Sequence, residues 1–308
     1  MLRSDVQFES EGATLRGWFY KPASLPPHPV VVMAHGTTAT ISMVTDRYAE
    51  SLVETGFAAL LYDHRNFGAS AGEPRQQINP WIQARGYRDA VSYALSRDDV
   101  DPTRIALWGD SYSAMQAIVV AAADRRVRAV VAQLPTCGSE PPRFDTSDAL
   151  FERLCQTLEG GDVRPTAEST TGPMPVVSSD QIGTPSLLKP IQAFRWFIEY
   201  GGRPGSRWQN LVTRVIPPTP VPFAAQLAAP YLQADLLMMV APDDEMVHCN
   251  AAVARSTFDA VASYKEYREI EGGHFGLLYH PGELFDRATA IQRDFLVRRL
   301  VRGPTAGS

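Results

Sequence analysis

Residues 104–124, R-I-A-L-W-G-D-S-Y-S-A-M-Q-A-I-V-V-A-A-A-D, constrain the chain more than any other stretch: an apolar run, a G-D-S-Y-S turn, then a helix of small residues. The pattern reads as a strand-to-helix turn that thrusts Ser111 out at its tight point, the arrangement called a nucleophile elbow. Gly109 supplies a residue without Cβ where the backbone crowds itself, and Ser113 keeps the far side of the turn small. A helix beginning at Ser111 points its free N–H groups and positive dipole end at the hydroxyl. The plainer alternative is a serine at an ordinary helix N-cap, and the rest of the chain has to decide between the two.

Elsewhere short apolar runs alternate with helical patterns. Strands are expected near residues 29–34, 57–63, 105–108 and 127–134, with helices near 46–55, 81–96 and 111–123. This is the signature of β-α-β units and a mostly parallel, doubly wound α/β sheet. V-V-V-M-A, A-A-L-L-Y and I-A-L-W are continuous rather than alternating, as strands covered on both faces should be. The first residues alternate polar and apolar around Glu11-Gly12, which predicts an antiparallel edge hairpin. Residues 137–230 change character: prolines, glycines and threonines surround amphipathic patches at 149–158 and 188–200. So long a stretch is too large for a loop and reads as an inserted helical cap, loosely ordered over 160–186, on a core made of 1–136 and 231–308. The β-α pattern resumes with a strand at 236–241, a helix at 250–262, a strand at 264–270 and a closing helix from Pro281. That helix is expected to pack Leu284, Ala288, Ile291 and Phe295 on the sheet and to leave a frayed tail after Arg302.

The net charge of −5 gives no basic footprint for nucleic acid, and no window approaches the ~18–20 apolar residues a bilayer span needs. A soluble, cytoplasmic protein with a small-molecule partner is expected. Cys137, Cys155 and Cys249 are an odd number without C-x-x-C spacing, and read as free thiols. His28, His35, His64, His248 and His280 show no metal-ligand spacing, so no metal is expected, and no phosphate-cradling glycine motif calls for a cofactor.

What Ser111 needs appears after the remaining strands. P-D-D-E-M-V-H follows the strand at 236–241 and presents Asp243 and Asp244; E-G-G-H-F-G follows the next and presents His274. A serine hydroxyl needs a base in reach, and neutral imidazole has a suitable pKa, so His274 is the base. A carboxylate on its other nitrogen, Asp243 or Asp244, fixes the tautomer. After the strand at 29–34, M-A-H-G-T-T offers the Thr37 N–H which, with that of Tyr112, makes an oxyanion hole, Thr38 being the fallback donor. Asp63, Arg65 and Gly68 read as loop bracing, and His35 as a hydrogen-bonding turn residue. Phe194, Trp196, Tyr200 and Trp208 in the insert are candidates to line an acyl pocket.

In this order the H-G turn, the elbow, the D-x-x-V segment and the late G-H resemble the α/β-hydrolase superfamily over about residues 5–300. The chain is most similar to its dienelactone-hydrolase-like branch, which includes bacterial serine hydrolases and fungal polyketide transferases. Y-D-H-R-N-F-G-A-S-A-G-E at 62–73, D-P-T-R-I-A-L-W-G-D-S at 101–111 and D-D-E-M-V at 243–247 carry the likeness. The resemblance favours Asp244 as the acid, since in such relatives two residues and a valine follow it. It departs where Ser113 replaces the last glycine of G-x-S-x-G, leaving Ser113 as an alternative nucleophile, and where His248 replaces a common proline. The implied function is a cofactor-independent serine hydrolase with a Ser111–His274–Asp244 triad, acting on a neutral or apolar ester, thioester or lactone. The rivals are acyl or polyketide transfer through the same acyl-enzyme, and a hydrolase-fold binding protein that has lost catalysis.

Overall fold

In the computed structural model residues 1–302 are described; the expected frayed tail lies outside them. Strands β1 (Leu2–Ser10) and β2 (Ala13–Lys21) form the antiparallel hairpin the alternation predicts. Its two-residue turn, Glu11 at φ 48° and Gly12 at φ 70°, holds both residues in the left-handed region, which matches the twist of paired strands. Then come β3 (His28–Ala34), α1 (Thr45–Val53), β4 (Ala58–Tyr62), the short β5 (Gln77–Ile78), α2 (Pro80–Leu95), β6 (Val100–Asp110), α3 (Tyr112–Ala123) and β7 (Ala129–Gln133). The 137–230 stretch carries α4 (Asp148–Gly160), β8 (Thr170–Met174), α5 (Ile191–Gly201), β9 (Val212–Val215) and α6 (Ala225–Ala228). The chain closes with β10 (Asp235–Val240), α7 (Ala251–Asp259), β11 (Lys265–Glu269), the short α8 (Gly273–Gly276) and α9 (Glu283–Leu296).

One sheet of eight strands runs β1-β2-β4-β3-β6-β7-β10-β11. Only the β1/β2 and β2/β4 pairs are antiparallel. From β4 to β11 every neighbour is parallel, so the C-terminal ends of β3, β6, β7, β10 and β11 share one edge. Continuous apolar runs make physical sense here because successive residues serve opposite faces. Val30, Val32, Leu60, Ile105, Leu107, Val130 and Met238 join the core under α2 and α3, whereas Val31, Met33, Leu61, Trp108, Val131 and Met239 join the core under α1 and α9. Alanines 114, 117, 121 and 122 of α3 are buried, letting that helix lie close on the sheet.

Two expectations need correction. Residues 160–186 are more ordered than their composition suggests: β8 pairs with β9, β9 pairs with β5, and Val163, Val176 and Val177 are buried. Partners this remote in sequence leave no local signature. On α9 the buried residues are Phe285, Ala288, Thr289, Gln292, Phe295 and Leu296, with Leu284 and Ile291 only partly covered. A count of apolar residues turns Gln292 outward, but its side chain is fully buried as a hydrogen-bonding hub. It accepts from Trp108 Nε1 at 2.9 Å and donates to Gln133 Oε1 at 2.7 Å.

Candidate active site

The bond from β6 to α3 is made at Ser111, whose φ of 56° and ψ of −113° lie where a side chain is strained. Gly109 permits it, because a Cβ there would sit 2.3 Å from the Ser113 carbonyl oxygen. Ser113 is fully buried; its Oγ accepts from the Asp110 N–H at 2.9 Å and lies 2.9 Å from the Ala34 and 3.0 Å from the Asp110 carbonyl oxygens. It stitches the ends of β3 and β6 together, which corrects its reading as an alternative nucleophile: its hydroxyl faces backbone. The Ser111 N–H donates to the Gln133 carbonyl at 2.8 Å, fixing the elbow to β7. Among the described residues the Ser111 hydroxyl has no hydrogen bond of its own.

His274 is the second residue of α8 and lies beside the loop that follows β10. Its Nδ1 is 2.8 Å from Asp244 Oδ2, with side chains 4% and 3% exposed. The three consecutive acids of that loop all hold the G-G-H turn. Asp243 accepts from the Gly272 and Gly273 N–H groups, each at 3.1 Å, Asp244 takes the ring, and Glu245 accepts from the His274 N–H at 2.7 Å. The Asp243-or-Asp244 choice thus resolves into two contacts, backbone for one and imidazole for the other. Burial alone would push His274 down, but the neighbouring Cys249 sulfur and the Asp244 carboxylate reverse that and hold it well above its ordinary value. Cys249, unflagged by the sequence, lies on the same loop; its Sγ donates toward the Leu134 carbonyl at 3.5 Å.

Ser111, His274 and Thr37 open together into a cavity of about 30 Å³, lined also by Gly36, Asp110, Leu188, Trp196, Phe197 and Phe275. The Thr37 and Tyr112 N–H groups carry no hydrogen bond among the described residues. Thr38, at φ 55°, is buried and does not line this cavity. Of the four aromatic candidates in the insert only Trp196 reaches the lining. Phe197, on the buried face of α5, and Leu188, just before that helix, were not singled out from sequence and join it. Asp110 is a buried carboxyl at the same place; Gln133 Nε2 donates to its Oδ1 at 3.3 Å, and burial pushes it up to about 6.

The bracing residues behave as read. Asp63 accepts from the Ile41 and Ala69 N–H groups at 3.0 and 2.8 Å, and a Cβ on Gly68 would collide with its carboxylate. His35 bonds the Gly36 carbonyl through Nδ1 at 2.9 Å and is driven down to about 4 by burial, so it is a neutral turn residue.

An eight-stranded, mostly parallel sheet with a strained serine after a central strand and an Asp–His pair at the same edge is the frame of one large superfamily, and the whole chain superposes on a member of it. The α/β hydrolase GrgF from Penicillium aligns with a TM-score of 0.74 over 97% of this chain and 99% of that one, at 25% identity. This chain has the α/β-hydrolase fold. The S15 family of X-Pro dipeptidyl-peptidases matches residues 11–142 of this enzyme, the part that contains the elbow. A quorum-quenching protein, AidA of Acinetobacter baumannii, is 29% identical over 296 residues, covering 96% of this chain and 94% of that protein. A thiohydrolase of Eupenicillium brefeldianum is 37% identical over 140 residues, 45% of either chain. A polyketide transferase of Aspergillus fumigatus is 37% identical over 166 residues, covering 56% of its length. Among the described residues no helix of this α/β hydrolase is long and apolar enough to cross a membrane.

Proposed function

We propose that this α/β hydrolase is a serine hydrolase that cleaves a carboxylic ester, thioester or lactone through an acyl-enzyme on Ser111. The observation that carries the proposal is the buried 2.8 Å contact between His274 and Asp244 at the cavity into which the unpaired Ser111 hydroxyl opens. Asp244 holds the Nδ1 proton, so Nε2 is free to take the proton of Ser111 as its oxygen attacks the substrate carbonyl. The Thr37 and Tyr112 N–H groups receive the oxyanion. The imidazolium then protonates the leaving group, and water activated by His274 releases the acyl product.

A cavity of about 30 Å³ holds one water rather than an acyl chain. Residues 137–230 are in this proposal a cap: α5, which contributes Trp196 and Phe197 to the lining, moves aside to admit an apolar, uncharged acyl group. Asp110 supports the choice of an uncharged substrate, because a second carboxylate in so small a space would be repelled. The cytoplasmic setting expected from the sequence belongs to the same proposal. Acyl transfer is the second reading, favoured by the relatives named polyketide transferases; it shares every step but the acceptor, and product analysis with added alcohols separates the two.

The test is intact-mass analysis after a fluorophosphonate probe, on the unmodified protein, Ser111→Ala and His274→Ala. One adduct seen only in the unmodified protein supports the mechanism. An adduct that survives Ser111→Ala removes Ser111 from it.

A further inference from the structure

Asp244, Cys249 and His274 offer a carboxylate oxygen, a thiol sulfur and an imidazole nitrogen that all lie within 4.8 Å of one another. Cys249 and His274 are 6% and 3% exposed, and the Asp244 side chain is 3% exposed. The hydrolytic reading uses Cys249 only as a neighbour of His274. We propose that these three side chains form a binding site for a zinc-like divalent cation, and that filling it switches the enzyme off by taking the base out of service.

The donor set is the ground for naming this class of ion. Thiolate with imidazole is the combination zinc prefers, and a carboxylate completes three protein ligands of a tetrahedral site. Bonds of roughly 2.0–2.3 Å place tetrahedral ligand atoms ~3.3–3.8 Å apart, so no pair has to close by more than about 1.5 Å. The framework around the thiol is fixed: the Cys249 N–H donates to the Met246 carbonyl at 2.8 Å, and Gly138 and Cys249 form a backbone bridge between the loops after β7 and β10. The fourth position is left for water.

The proton count gives the consequence. In the working enzyme the neutral imidazole carries its proton on Nδ1, facing Asp244, and accepts at Nε2. A cation bound at Nδ1 between Asp244 and Cys249 moves that proton to Nε2, while the Cys249 thiol proton leaves to solvent. One proton is released for each cation bound, and the imidazole now presents a donor to Ser111 where it had an acceptor. In this proposal the ion only competes with the proton that orients the base.

Cobalt(II) reads this site without any assay of turnover. Titrated into the chelator-stripped full chain, it should produce a thiolate-to-cobalt charge-transfer absorption that saturates at one ion per chain and is absent in Cys249→Ser and Cys249→Ala. Zinc chloride should inhibit cleavage of an activated ester, with recovery on adding EDTA, and each variant, read against its own zinc-free rate, should need at least about tenfold more zinc for half-inhibition. Weakening inhibition as pH falls, through proton competition at the same atoms, is the third expected result. The absence of the cobalt band in the unmodified protein overturns the proposal, as does equal zinc sensitivity in the parent and either variant. Because cobalt binding is read by absorption, loss of the site and failure of the hydrolytic reading give different results.

Discussion

Asp244→Asn removes one charge and almost no volume, and its cost follows from the geometry. The carboxylate and imidazole meet at 2.8 Å with side chains 3% and 4% exposed, so no solvent takes the place of the lost oxygen. An amide can turn its NH₂ to the ring, which forces the proton to Nε2 and leaves Ser111 facing a donor. Losing the orienting carboxylate in a Ser-His-Asp site costs about 10⁴ in turnover, which at 1.36 kcal/mol per decade is about 5 kcal/mol of transition-state stabilisation. Asp243→Asn is the matched control. That carboxylate is exposed and accepts only from the Gly272 and Gly273 N–H groups at 3.1 Å. The amide oxygen of asparagine still accepts there, so the loss is about 1 kcal/mol or less, under roughly tenfold. Glu245→Gln likewise keeps an acceptor for the His274 N–H, now at 2.7 Å, and belongs with Asp243→Asn. The assay is kcat/KM on an activated ester for the parent and the three variants, with far-UV circular dichroism as the folding check. A larger loss for Asp243→Asn than for Asp244→Asn, or an Asp244→Asn enzyme within tenfold of the parent, refutes the reasoning.

Ser113→Ala should lower unfolding free energy by about 2–3 kcal/mol in urea titrations, because it leaves the buried Asp110 N–H and a carbonyl unpaired. It should nonetheless retain the fluorophosphonate adduct; a change below about 0.5 kcal/mol would contradict the stitching role. Since His274 is held above its ordinary value and must be neutral to act, kcat/KM should rise with pH through a midpoint above 6.5, and a midpoint at or below 6.5 counts against that environment. For Asp110, raised from 3.8 to about 6 by burial, the neutral form is the one the fold accepts. Its penalty is absent below the unfolded value, grows as pH rises to about 6, and levels off on the order of 3 kcal/mol. Asp110→Asn should therefore gain stability relative to the parent on going from pH 4 to pH 8, whereas a pH-independent difference in urea midpoints would show that Asp110 is not buried as an acid.

The strands were legible because parallel strands buried on both faces leave continuous apolar runs, and V-V-V-M-A, A-A-L-L-Y and I-A-L-W all became central strands. The elbow was legible because its sterics admit so few residue types, Gly109 above all. What stayed hidden depends on contacts between distant segments. Nothing local marks β8, whose partner β9 is far along the chain, or makes Gln292 an inward residue before Trp108 and Gln133 are seen to need it. From the residues alone Asp243 and Asp244 were both open, with only the resemblance favouring Asp244, until the G-G-H turn arrived opposite them and divided the backbone donors from the ring. Cys249 was a lone thiol in sequence, and only the folding of its loop against residues 134–138 brings it beside His274.

The pattern of filled and unfilled hydrogen bonds separates holding residues from reacting ones. Around the site the chain satisfies its donors with care: Ser113 serves Asp110, Asp63 serves Ile41 and Ala69, Asp243 serves Gly272 and Gly273, and Glu245 serves His274. Polar groups left unpaired elsewhere, such as Tyr62 Oη and both ring nitrogens of His64, are sealed among side chains. The Ser111 hydroxyl and the Thr37 and Tyr112 N–H groups are different, since among the described residues they have no protein partner yet belong to residues at or beside one open space. Donors grouped at one open space favour a carbonyl oxygen that gains charge there, and this is why the arrangement at Ser111 fits attack on an acyl group better than passive binding of a neutral ligand.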